Sequence, residues 1–165
     1  MERQPFLKSF KNAFCGIQDL FLTERNFRID IFFALLAGFF CVLTRTRGVE
    51  LAVIVLCIAL VLGLEGLNSA LEATVDLAIQ ELHPLAKTAK DMAAGAVLIA
   101  ALLSVAIGAI IFVPKLLLLV DGTLRVTDTL MPRLGIGLAA LVVYLAWLVV
   151  HPLPQINTSK EDELR

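Results

Sequence analysis

Charge is scarce in this sequence. Asp, Glu, Lys and Arg together make up 18% of its 165 residues, while hydrophobic residues reach 59%. Soluble domains run nearer ~45–50% apolar, so an ordinary soluble protein is excluded. The net charge is −1, and no basic stripe interleaves with aromatics, which sets nucleic-acid binding aside. There is no G-x-x-x-x-G-K-[ST] phosphate loop, hence no P-loop nucleotide fold. No Ser-His-Asp or Cys-His arrangement exists; His83 and His151 lie in polar loops and read as solvated or capping groups. Cys15, Cys41 and Cys57 have no metal-ligand spacing, and their odd number gives no disulfide framework. Cys41 and Cys57, inside apolar runs, read as small buried hydrophobes. The N-terminus lacks an apolar h-region followed by a small-residue cleavage site, so the membrane segments themselves are expected to direct insertion.

What is present is a succession of apolar runs in one compact unit. Phe6, Phe10, Ala13, Phe14, Ile17 and Phe21 form one face of a helix over 6–22, with Lys8, Lys11, Asn12, Gln18 and Asp19 off that stripe. This predicts an amphipathic helix in the membrane interface, phenylalanines down and lysines towards anionic headgroups; the alternative is a helix packed on protein at the membrane surface. The apolar run Ile31–Leu43 reaches the ~20 residues of a span only if its helix starts near Glu24. Glu24, Arg28 and Asp30 then sit near the membrane surface. Core spans are predicted over about 27–43, 51–79 and 87–113, with Pro84 suited to opening the third helix. Residues 1–120 form the membrane domain, 121–133 a polar loop, 134–150 an additional span with Tyr144 and Trp147 as interface anchors, and 151–165 a polar tail expected to be disordered. The fold class expected is all-α: a surface helix, three core transmembrane helices and a fourth C-terminal one. Nine Lys and Arg lie on the side holding the N-terminus, second loop and tail, against five on the other, so the former side is predicted to be cytoplasmic.

The chemistry concentrates in the second span. Glu65, Asn68, Glu72 and Asp76 are spaced three, four and four. At ~100° per residue they fall within an arc of about 80°. A carboxylate at bilayer depth costs ~2.5–3.5 kcal/mol on insertion scales and is a functional-site hypothesis by default. Clustered carboxylates call for positive charge, such as Mg²⁺ held by carboxylates and phosphate. Lys87 and Lys90 open the third helix near the same surface, where free backbone N–H groups can cradle phosphate, with Asp91 following and Glu24 at similar depth. This set suits phosphoryl transfer to a hydroxyl, with positioning, charge neutralisation and a base. The rival reading is an ion-coupled transporter using the acidic stripe as a path.

The segments E-G-L-N-S-A-L-E (Glu65–Glu72), Val75-Asp76, His83-Pro84 and A-K-D-M-A-A-G-A-V-L (Ala89–Leu98) resemble the prokaryotic diacylglycerol kinase family, as does T-E-R-N-F-R-I-D (Thr23–Asp30). The resemblance covers roughly residues 10–108. It implies an ATP- and Mg²⁺-dependent lipid kinase in the bacterial plasma membrane with its site on the cytoplasmic side. It also implies a homotrimer of three-span protomers sharing active sites. By motif position, Glu65 resembles the catalytic base and Asn68 its neighbour, and Glu24 and Glu72 the metal-binding pair. Lys90 matches the lysine on the ATP phosphates and Asp91 the adjacent acid, while Asp30 is expected near the nucleotide. Ala93-Ala94-Gly95 is similar to the Gram-positive branch, which favours undecaprenol over diacylglycerol as the lipid acceptor. The span 134–150 lies outside the family pattern.

Overall fold

The computed structural model describes residues 6–79 and 83–121, together with Gly137, Leu138, Leu141, Val143 and Tyr144, which are helical. The rest of the proposed fourth span, the loop before it and the tail lie outside the described residues. The described residues include four long helices in sequence: α1 (Phe6–Thr23), α2 (Arg25–Leu43), α3 (Val49–Ala78) and α4 (Pro84–Val120). The described residues contain no strand. α2, α3 and α4 are each long and apolar enough to cross a membrane, at 19, 30 and 37 residues. At ~1.5 Å per residue they extend about 28, 45 and 55 Å.

Each helix boundary has a local cause. Glu24 is the single extended residue between α1 and α2, at φ −93° and ψ 116°. Across this elbow the Arg28 guanidinium donates to the carbonyls of Phe21 (3.4 Å) and Leu22 (3.1 Å). These are carbonyls in the last turn of α1, which has no helical partner for them. α2 ends in a Schellman motif: the Thr46 N–H bonds the Cys41 carbonyl at 2.9 Å and the Arg45 N–H that of Val42 at 3.3 Å. Arg45 occupies the left-handed position at φ 53°, and Gly48 follows at φ 61° and ψ −133°, a combination open essentially to glycine. α4 starts with Pro84 in its first turn and His83 as N-cap, the Nδ1 of which accepts the Leu85 N–H at 3.2 Å. The capping reading of His83 is the one observed.

α4 does not stop at Val113. It runs through Pro114 to Val120, because Leu116–Val120 continue the apolar helix. The lost backbone bond at proline is tolerable in a membrane helix whose neighbours hold it.

α3 and α4 pack as an extensive antiparallel pair, and α2 lies against α3. The apolar core gathers Cys41, Ile54 and Phe112, with Ala37, Phe40, Ile58, Ile111 and Leu116 around them. The rings of Phe40 and Phe112 are 5.6 Å apart. α2 and α4 barely touch, which leaves an apolar cleft of about 440 Å³ above α3, with Asp30 at one end and Phe112 at the other. Leu56, Leu98 and Ile110 are exposed outside this cleft. An outward-facing apolar surface of this extent suits hydrocarbon, where the helical backbone is already satisfied.

Candidate active site

Polar residues gather at both ends of the bundle. At one end, α3 carries Glu65 at 3% exposure and Asn68 at 8%, both buried. Their spacing of three turns them to one face, towards the start of α2. The Asn26 carboxamide hydrogen-bonds Glu65, and Asp30, Glu24 and Glu72 are close enough to act on it electrostatically. One turn further along α3, Asn68 Nδ2 donates to Glu72 Oε1 at 3.1 Å. Asn68 Oδ1 is the buried side-chain polar atom with no partner among the described residues. The Glu24 side chain caps nothing, although it occupies the N-cap position of α2.

The charge balance here is lopsided. Among the described residues, Glu24, Asp30, Glu65 and Glu72 have no ion-pair partner. Arg28, on the same helix as Asp30, is engaged with carbonyls of α1. Such a cluster of carboxylates suits a cation joining them.

The structure brings together Glu24, Asp30, Glu65, Asn68 and Glu72. It places Lys90 beyond them, near the water-facing end of α3. Its ammonium lies 2.5 Å from Asp76 Oδ1, with the lysine side chain 30% exposed. Asp91 is turned away from this set. It pairs with Lys87 at 2.6 Å on the exposed side of α4. Lys87 therefore does not reach the acidic stripe, because an aspartate one helical turn away on its own helix holds it. Asp30 lines the head of the apolar cleft between α2, α3 and α4.

Asn26 joins this cluster without having been singled out in the sequence. Its signal there is its spacing: it lies four residues before Asp30, so the two share a face of α2 about 40° apart.

The donor set can be judged against a divalent cation. No group of three or more His, Cys, Asp or Glu side chains able to hold a metal is present among the described residues. Mg²⁺ does not require one, since it is commonly held by one or two carboxylates plus phosphate oxygens and water. Unpaired Glu24 and Glu72 and the open Asn68 Oδ1 fit that mode.

Residues 11–112 match the family model for prokaryotic diacylglycerol kinase. The chain is 46% identical over 118 residues to an undecaprenol kinase of Bacillus subtilis, covering 70% of this chain and 94% of that protein. It is 45% identical over 112 residues to a diacylglycerol kinase of Synechocystis, covering 67% of this chain and 64% of that protein. A diacylglycerol kinase of Escherichia coli K12 is 32% identical over 99 residues, 60% of this chain and 81% of its own length. No solved structure matches.

Proposed function

The chain belongs to the prokaryotic diacylglycerol kinase family, and from that premise we propose that it transfers the γ-phosphate of ATP to the hydroxyl of undecaprenol in a bacterial plasma membrane. The observation that carries this reading is the stripe of buried Glu65 and Asn68 with half-buried Glu72, facing Glu24 and Asn26, with unpaired negative charge and one buried oxygen still open. A site that is short of positive charge and lies at one end of three apolar helices suits a phosphate–cation complex meeting a membrane-bound alcohol.

In this mechanism Glu65 accepts the proton of the lipid hydroxyl. The freed oxygen attacks the γ-phosphorus, and ADP leaves. Asn26 orients the Glu65 carboxylate through its hydrogen bond. Glu24 and Glu72 would hold Mg²⁺, which would offset phosphate charge there. Lys90, steadied by Asp76, supplies positive charge to the phosphates. Asp91, on the water-facing side of α4, serves the nucleotide. The position of Asp30 at the head of the apolar cleft supports a role beside the acceptor as well as near the nucleotide. Catalysis is then mainly positioning and electrostatics.

Two observations support undecaprenol: the Ala93-Ala94-Gly95 stretch, and the Bacillus subtilis undecaprenol kinase being matched over 94% of its own length. Diacylglycerol is the second candidate, after the name of the Synechocystis relative. α1 is proposed to lie along the cytoplasmic surface, with Leu7, Phe10, Phe14 and Ile17 exposed for contact with lipid. Residues 134–150 are proposed as an additional span. A homotrimer sharing sites between subunits would cover part of the exposed apolar faces of α3 and α4.

The test is radiolabelled ATP with undecaprenol and diacylglycerol mixed in detergent. Label should move to undecaprenol in a Mg²⁺-dependent reaction. Label on diacylglycerol alone would transfer the reading to that acceptor. Solute transport in vesicles without labelled lipid would replace the kinase with a carrier.

A further inference from the structure

Glycine inside a helix is destabilising relative to alanine, so a helical glycine without a spatial role is a liability. Gly16, Gly38, Gly63 and Gly95 would each gain a Cβ with nothing within 4 Å, and Gly108 would meet only Phe112 of its own helix, at 3.9 Å. Gly66 differs. A Cβ there would stand 3.3 Å from Leu20 Cδ1, on α1. It is the described glycine at which another helix comes this close.

Its position matters because of what is attached to each side. Gly66 follows Glu65, so the same turn of α3 presents the proposed base towards α2 and a bare backbone towards α1. Leu20 lies in the last turn of α1, and its carbonyl accepts the Glu24 N–H at 2.9 Å. The Glu24 side chain makes no cap bond of its own, so its placement depends on the elbow that carries it. α1 makes few other contacts with α2 and α3. An open groove of about 420 Å³ runs between α1 and α3, lined by Gly16, Leu20, Glu24, Gly66 and Ser69 among others.

We propose that Gly66 is a positioning residue: as the seat for Leu20, it sets the approach of α1 to α3 and thereby the distance from Glu24 to Glu72 and Glu65. This rests on the reading of Glu24 and Glu72 as the metal-binding pair. A side chain at position 66 lifts α1, moves the elbow and weakens divalent-ion binding without touching a ligand.

The experiment measures Mn²⁺ binding by electron paramagnetic resonance on purified protein with a non-hydrolysable ATP analogue. Gly66→Val is expected to weaken half-saturation by about 10–100-fold, the range for losing support behind a metal ligand. Leu20→Ala on that background is expected to restore most of the affinity, because it vacates the space the valine fills. Gly66→Ala, with a single methyl against a flexible leucine tip, should weaken binding less while leaving thermal stability unchanged or higher. That split between affinity and stability is one a merely structural role would not produce. Wild-type affinity in both Gly66→Ala and Gly66→Val, or no rescue by Leu20→Ala, overturns the proposal. If Gly66→Val fails to assemble, the alanine and double variants carry the test. Absence of Mn²⁺ binding in the unsubstituted protein would instead overturn the assignment of the Glu24–Glu72 pair, on which this proposal depends.

Discussion

The two ends of the α3–α4 hairpin are both polar, and they are built in opposite ways. At the end where α2 turns into α3, every buried polar side chain is partnered. Thr44 bonds the Phe40 carbonyl at 2.7 Å, and its hydroxyl meets that of Thr46 at 2.7 Å. Lys115 of α4 donates to Thr46 at 3.1 Å and pairs with Glu50. At the Glu65 end, four carboxylates stand without ion-pair partners among the described residues and Asn68 Oδ1 is left open. Buried polar groups are normally satisfied, and the exceptions call for an explanation. The closed end holds the hairpin together. The open end is the one proposed above to receive a phosphate–cation complex.

The two ends are linked through register. Lys90–Asp76 and Lys115–Glu50 tie α3 to α4 at points 25 residues apart on α4 and 26 apart on α3. With ~1.5 Å rise per residue in both helices, these spacings agree. Both pairs thus fit one register of α3 against α4.

Substitutions at each end should separate the two roles. Lys90→Ala is expected to lower kcat by about 10²–10³-fold, the cost of removing one preorganised group from developing charge, as read by lipid phosphorylation under saturating ATP. Glu72→Gln should raise the Mg²⁺ concentration for half-maximal turnover by at least about tenfold, as read in a metal titration. Asn26→Ala removes a hydrogen bond to a charged group, worth ~1.5–3 kcal/mol. Turnover should then fall by roughly 10–100-fold with little change in the KM for ATP. Lys115→Met at the closed end should leave kcat within about twofold. Glu50 is half exposed, so the pair is worth at most about 1 kcal/mol and the melting temperature should drop by only about 2–4 °C. A collapse of activity in Lys115→Met with the fold intact would erase the distinction between the ends.

Much of the open end was legible before any coordinates. The spacing of Glu65, Asn68, Glu72 and Asp76 is a property of the helix alone, and so is the cap formed by His83 with Pro84. What could not be read was which neighbour each group would meet. Lys87 and Lys90 look alike along the chain, yet only Lys90 reaches α3, because Asp91 holds Lys87 on its own helix. Asn26 joins Glu65 only through the packing of α2 on α3. Past Pro114, Lys115 meets Thr46 and Glu50 across the bundle, partners that its place in the sequence does not name. The same holds for Gly66, where the close approach of Leu20 comes from a helix about forty-five residues away along the chain.

The central claim is that Glu65 takes the proton from a lipid hydroxyl. It is tested most directly by comparing Glu65→Gln with the unsubstituted protein for transfer of label from ATP to undecaprenol. The variant keeps the size of the side chain and its contact with Asn26 while removing the base. Turnover should fall by about 10²–10⁴-fold, as for loss of a general base, with assembly and ATP binding unchanged. Full turnover in Glu65→Gln would contradict the account.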